Sequence, residues 1–213
     1  MSERRPITSR DTKLAALIAR KLANSGVSPN RISQASMAFA AFAGAAFWAS
    51  SMTSGLFYGA CLILAALFCQ VRLLCNLFDG MVAVEGGKAE PDGPFWNEMP
   101  DRVADVFILV GVGLGSGFIA LGWAAAALAV GCAYIRELGS AQGLAANFQG
   151  PMAKPQRMAV TTGAALLAIF SPTIFGWAVL DIALWIIAIG SAVTILRRSS
   201  SIIASLKARD EAG

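Results

Sequence analysis

The sequence predicts an all-α, polytopic membrane protein: six transmembrane helices preceded by an N-terminal amphipathic surface helix. Three observations predict it. Of 213 residues, 56% are apolar and 14% charged, far from the balance of a water-soluble domain. Apolar runs near the roughly 20 residues that cross a bilayer recur at about 33–50, 55–78, 100–117, 119–138, 157–174 and 177–196. Finally, the basic residues alternate between connections. Arg4, Arg5, Arg10, Lys13, Arg20, Lys21 and Arg31 precede the first run, Lys88 and Lys154 stand in the second and fourth connections, and Arg197, Arg198, Lys207 and Arg209 follow the last run. The connections near Ser50–Ser54, Ser116–Phe118 and Ser171–Phe175 carry no Lys or Arg. By the positive-inside rule both termini are expected to be cytoplasmic.

The elements follow in order. Residues 1–26 form a basic N-terminal segment that does not read as a cleaved leader. Within it, Leu14, Leu17, Ile18 and Leu22 recur at helical spacing among Lys13, Arg20 and Lys21. That run is too charged to span and is expected to lie on the membrane surface. At Val27–Ser33, Pro29 and Asn30 predict a turn, and Ser33 a cap for the next helix. Residues 27–198 are expected to form the six-helix membrane domain and 199–213 a cytoplasmic tail. Gly111, Gly113, Gly115 and Gly117 permit either close helix packing or a flexible turn. Trp48, Trp123 and Trp177 fit interfacial anchors. Cys61, Cys69, Cys75 and Cys132 all lie in apolar runs with no C-x-x-C pair, which predicts buried reduced thiols. The absence of His removes most zinc sites and His-based triads. Nucleic acid is not an expected partner, because the charges behind the net +4 follow the membrane pattern.

Between the second and third runs, polar residues crowd into Asn76–Asp105. Asn76 and Asp79 are three apart and share a helix face. Asn97, Glu98, Asp101 and Asp105 fall within an arc of roughly 100° on the next helix. Two helices thus offer carboxylate and amide oxygens, the ligands that hard divalent cations take.

This spacing resembles the signature of the CDP-alcohol phosphotransferase family, D-x2-D-G-x2-A-R-x8-G-x3-D-x3-D. Asp79, Gly80, Ala83, Gly93 and Asp101 match it, while Asn76 and Asn97 stand at two Asp positions and Val84 at the Arg position. The string Pro29-Asn30-x-Ile32-Ser33 resembles the start of the first span in the same family. The resemblance implies transfer of a phosphatidyl group from CDP-diacylglycerol to a small alcohol acceptor, with release of CMP, in phospholipid biosynthesis. It also implies Mg2+ or Mn2+ as cofactor and a homodimer; the lack of His and the compactness of the chain suggest a bacterial inner membrane location. By the same resemblance Asn76, Asp79, Asn97 and Asp101 are metal ligands, with Glu98 a possible replacement ligand. Asp101 is the catalytic base, and Asp79, Gly80, Ala83 and Gly93 face the nucleotide.

The two Asn residues remove two negative charges from the ligand set, which should weaken divalent binding or leave one strong ion. Glu98, Asp105 and Glu85 are the candidates to replace them. A catalytically impaired relative that binds nucleotide, lipid or a protein partner without turnover is the alternative. A small transporter would explain the intramembrane polar residues but not the gapped motif. Arg72, inside the second run, can pair with a site carboxylate or contact phosphate. Arg136, Lys154 and Arg157 are expected to bind acceptor or lipid phosphate, with attraction to anionic lipid the rival for Lys154. Asp105 is expected to order the site or pair with Arg102, and Glu90 and Asp92 to solvate a loop.

Overall fold

The protein, seen as a computed structural model, is described over residues 13–88 and 90–211. Its elements are α1 (Lys13–Asn24), α2 (Pro29–Ser50), α3 (Gly55–Glu85), α4 (Gly93–Ser116), α5 (Ile119–Ala141), α6 (Lys154–Phe170), β1 (Thr173–Ile174), β2 (Trp177–Ala178) and α7 (Val179–Glu211). Residues 1–12 of the predicted basic segment, together with Ala89, lie outside the described residues.

Helices α2 to α7 form the bundle. Helix α2 packs on α3 and α4, α4 on α5, α5 on α7, α7 on α6, and α6 on α3, which closes a ring. Its core is Phe47, Leu62, Ile108, Leu109, Leu184 and Ile187 set among many alanines. Small residues suit such contacts, because lipid offers helices no hydrophobic reason to associate and close packing must do it. Gly44 and Gly111 bring α2 and α4 backbone to backbone, and a Cβ on either would strike the other helix. Gly113 meets Gly122 of α5 in the same way. Gly117 instead ends α4 at φ +86°, so the glycine run serves both packing and turn. Large apolar side chains such as Leu56, Phe57, Leu67, Phe170 and Ile189 face outward. Trp48, Trp123, Trp177 and Trp185 are exposed as well.

By length and composition α2, α3, α5 and α7 can cross a membrane. The other two bundle helices fall short of that measure. Helix α6 has only 17 residues, and α4 carries Glu98, Asp101, Arg102 and Asp105. The four cysteines are free thiols; Cys69 and Cys132 are buried as expected, while Cys61 and Cys75 are only half-buried.

The reading of Val27–Ser33 is corrected. Pro29 and Asn30 are not a turn but the first residues of α2, because Ser28 is the cap and its hydroxyl accepts from Arg31 N at 3.4 Å. Ser33 therefore lies inside the helix and is released for another role. Helix α1 turns Ala15 and Ala19 against Met81 of α3 while Leu14 is 67% exposed and Leu17 also faces out. Segment 199–211 continues α7. A tight antiparallel hairpin, Thr173 opposite Ala178 and Ile174 opposite Trp177, joins α6 to α7. Its two turn residues, Phe175 and Gly176, both have positive φ, as a two-residue hairpin turn of right-handed twist demands.

Candidate functional site

Alternating helix direction brings the N-terminal ends of α2, α4 and α6 to the same end of the bundle as the C-terminal ends of α3, α5 and α7. The motif residues meet there. Asp101, one turn into the apolar part of α4, is the hub. Its Oδ1 accepts from Arg72 Nη2 of α3 at 3.0 Å and from Asn76 Nδ2 at 2.5 Å. Its Oδ2 accepts from Lys154 Nζ at the start of α6 at 2.5 Å. One turn deeper, Arg157 Nη2 donates to Asp105 Oδ2 at 2.6 Å, with both side chains almost fully buried. Asp105 thus pairs with Arg157 and not with Arg102. Arg102 instead bonds Glu98, which also receives Arg136 of α5. Arg136 lies over the Phe148 ring at 5.6 Å, within reach of a cation–π attraction.

Asp79 differs from the other motif acids. Among the described residues no cation pairs with it; Ser33 Oγ donates to its Oδ2 at 2.6 Å. Ser33 was read as a cap in the sequence, so this contact was missed. The only signal was the Pro29–Ser33 string, which sets Ser33 one turn into α2. The same string supplies Asn30, which donates to Glu90 and, at 2.9 Å, to Asp92. Those two acids accordingly tie the α3–α4 loop to α2 rather than merely solvating it. Lys88 in that loop donates to the Ala23 carbonyl of α1.

The expected cluster is assembled only in part. Asn76, Asp79, Asp101, Arg72, Lys154 and Arg157 come together. Asn97 does not: it is exposed, and its one bond is a long 3.4 Å contact to Glu98. Glu98 is engaged by two arginines, Arg102 and Arg136. Nothing is described of the Glu85 side chain. A Cβ on Gly93 would meet nothing, so packing does not require glycine there and the approach over it stays clear.

The donor set bears on a divalent cation. Asn76 Oδ1 and Asp79 Oδ1 are buried oxygens without a hydrogen-bond partner, one turn apart on α3. Leaving them bare is costly, and a hard cation would satisfy both. They suit one ion. They do not extend to the ligands of a second, since both Asp101 oxygens are occupied and no group of three or more His, Cys, Asp or Glu side chains gathers among the described residues. Arg72 retains unpartnered buried donors at Nε and Nη1. Burial holds the Lys154 ammonium below the ordinary lysine range; the Asp101 carboxylate opposes this and Arg72 reinforces it.

With this geometry in hand, solved structures can be compared. The chain superposes on the Mycobacterium tuberculosis phosphatidylinositol phosphate synthase PgsA1 with CDP-DAG bound at a TM-score of 0.74 and 20% identity, covering 90% of this chain and 94% of that one. The same enzyme in complex with manganese and citrate gives 0.73 at 20% identity, covering 88% of each chain. Its apo form gives 0.68 at 22% identity over 87% of this chain and 94% of that one. The chain has the PgsA1 fold. No family model and no curated protein matches the sequence.

Proposed function

We propose that the chain is an integral membrane CDP-alcohol phosphotransferase that moves a phosphatidyl group from CDP-diacylglycerol to a small alcohol and releases CMP. One observation carries this reading. A carboxylate oriented from two sides, Asp101, stands beside the unpartnered oxygens of Asn76 and Asp79, in a fold shared with a CDP-DAG-bound synthase. The gapped motif, read independently of the fold, points to the same family.

The acceptor hydroxyl oxygen attacks the phosphatidyl phosphorus. The bond from that phosphorus to the bridging oxygen breaks, CMP departs with the electron pair, and the hydroxyl proton passes to Asp101. Arg72 and Asn76 hold Asp101 Oδ1, so the proton is taken at Oδ2. Asn76 Oδ1 and Asp79 would hold one Mg2+ or Mn2+, kept in place by Ser33. That ion, when bound, neutralises phosphate oxygens and the charge growing on CMP. Gly80, Ala83 and Gly93 leave room for the nucleotide. Arg136 supplies positive charge for the acceptor or lipid phosphate, and Arg157, sealed against Asp105, adds to the field without touching either. The basic connections support a cytoplasmic site with cytoplasmic termini, the lack of His and the compact chain suit a bacterial inner membrane, and the family resemblance supports a homodimer.

The test is CMP release from CDP-diacylglycerol by purified protein with Mn2+ or Mg2+ against a panel of small alcohols. Turnover abolished by Asp101→Asn is the expected result. No CMP from the parent with any acceptor would sink the reading. Activity gained only in an Asn76→Asp, Asn97→Asp double variant would instead identify an impaired relative that binds without turnover.

A further inference from the structure

We propose that Lys154 is an exchangeable counter-cation: Asp101 holds it at rest, and it transfers to the donor's diphosphate on binding. In this chain a side chain then does what a second metal ion would otherwise do. The inference rests on the function proposed above and goes beyond it.

The two oxygens of Asp101 are treated differently. Oδ1 is fixed by Arg72, which is fully buried, and by Asn76 on the same helix. Oδ2 is held by Lys154 alone. Removing Lys154 therefore frees one oxygen while the carboxylate keeps its orientation. Of the cations bonded to Asp101 and Asp105, Lys154 is also the one built to move. Its side chain is 28% exposed against 0% for Arg72 and 4% for Arg157. A lysine stem is flexible and its ammonium rotates, whereas the buried guanidinium of Arg72 sits in a fixed fork.

The setting favours an incoming anion. Lys154 and Arg157 occupy the first turn of α6, which has no acidic residue and no side-chain cap. Cations there oppose the helix dipole, and only Asp101 and Asp105 from α4 offset them. Arg72 adds buried donors that have no partner. The oxygens that a second ion would need are missing: Asn97 is exposed, and Glu98 is committed to Arg102 and Arg136. Positive charge in this pocket therefore comes from side chains. A diphosphate that draws Lys154 away also uncovers Oδ2, so donor binding prepares the base. A lysine that merely staples α4 to α6 would stay with Asp101 throughout.

The experiment is calorimetric titration of CDP into the purified full-length protein in detergent, in EDTA and in Mg2+. The parent, Lys154→Met, Lys154→Arg and Asp101→Asn are compared, each checked for an unchanged gel-filtration profile. The parent is expected to bind CDP in EDTA, more weakly than in Mg2+. Lys154→Met should lose about tenfold in EDTA, the worth of one charge-assisted hydrogen bond, and Lys154→Arg should recover most of it. Asp101→Asn should bind CDP several times more tightly than the parent, because it no longer competes for Lys154. Equal affinity of Lys154→Met and parent, weaker binding by Asp101→Asn, or complete loss of parent binding in EDTA would each overturn the inference while leaving the transferase reading in place. If Lys154→Met does not fold, Asp101→Asn decides alone. A parent that binds no CDP in either condition overturns both.

Discussion

Two ion pairs join α4 to α6 one turn apart, and they are not alike. Asp105–Arg157 is sealed, with both side chains at most 5% exposed and the Met152 carbonyl taking another Arg157 donor at 3.0 Å. Asp101–Lys154 stands at the open end, with Arg72 and Asn76 sharing the same carboxylate. The inner pair is shut away from solvent, although Asp105 Oδ1 and Arg157 Nε are left without partners. The outer one has a flexible partner and spare donors beside it. The same two residue classes in adjacent turns thus give a staple and a working contact, and burial and partner number make the difference.

Substitutions can break this contrast. The largest effect is expected at the outer pair and on chemistry. On the proposed reading Asp101→Asn removes the proton acceptor, so turnover per folded molecule should fall by about 10²–10⁴-fold, and because it also strips the buried Arg72 of its counter-charge the unfolding temperature should fall as well. At the inner pair the pattern should reverse. Asp105→Ala leaves the Arg157 guanidinium buried without its partner and should cost about 3–5 kcal/mol of stability. Asp105→Leu combined with Arg157→Met should restore most of that loss, as measured by denaturant unfolding in detergent. If Asp105→Ala instead spared stability and stopped turnover, the two pairs would belong to one machine and the distinction would fail.

A third substitution sharpens the outer site itself. Asn76→Asp sets a second carboxylate against Asp101, where Asn76 now donates at 2.5 Å. In EDTA the variant should lose about 1–3 kcal/mol from the lost bond and the repulsion, a fall of several degrees in unfolding temperature. Mg2+ should return most of it, while leaving the parent nearly unchanged. A variant as stable as the parent in EDTA would show that the site tolerates the charge without an ion.

The helical bundle was legible because apolar runs and alternating basic connections are period and composition signals, which need no partner to be read. The acids of the motif were legible too, since Asp79 and Asp101 lie at fixed helical spacing. What the sequence hid was choice of partner. Asp105 could as well have met Arg102, only three residues away along α4, and only the packing of α6 in the bundle delivers Arg157 to it. Asn97 lies on the same arc as Asp101, yet that arc is wide enough for one edge to face the site and the other the outside. Ser33 was misplaced for a local reason: a proline is as good a first helical residue as a turn former, and α2 starts at Pro29.

The smallest expected effect is at Ser33, and it tests whether the site extends beyond the two pairs. Its hydroxyl donates to Asp79 at 2.6 Å and also lies 3.2 Å from the Pro29 carbonyl, so it links the first turn of α2 to the late part of α3. Asp79 is the one motif acid that takes a neutral donor rather than a cation, which leaves its charge for an ion. Ser33→Ala removes the donor without adding bulk. On the proposed reading, Mg2+ affinity should fall about tenfold, the low end for loss of a group that orients a metal ligand. Ser33→Thr keeps the hydroxyl and should bind Mg2+ as the parent does. Equal loss in both variants would point to crowding between α2 and α3. No loss in Ser33→Ala would mean that the buried Asp79 is held by the fold alone, and the division of labour would rest on Asp101 and Asp105.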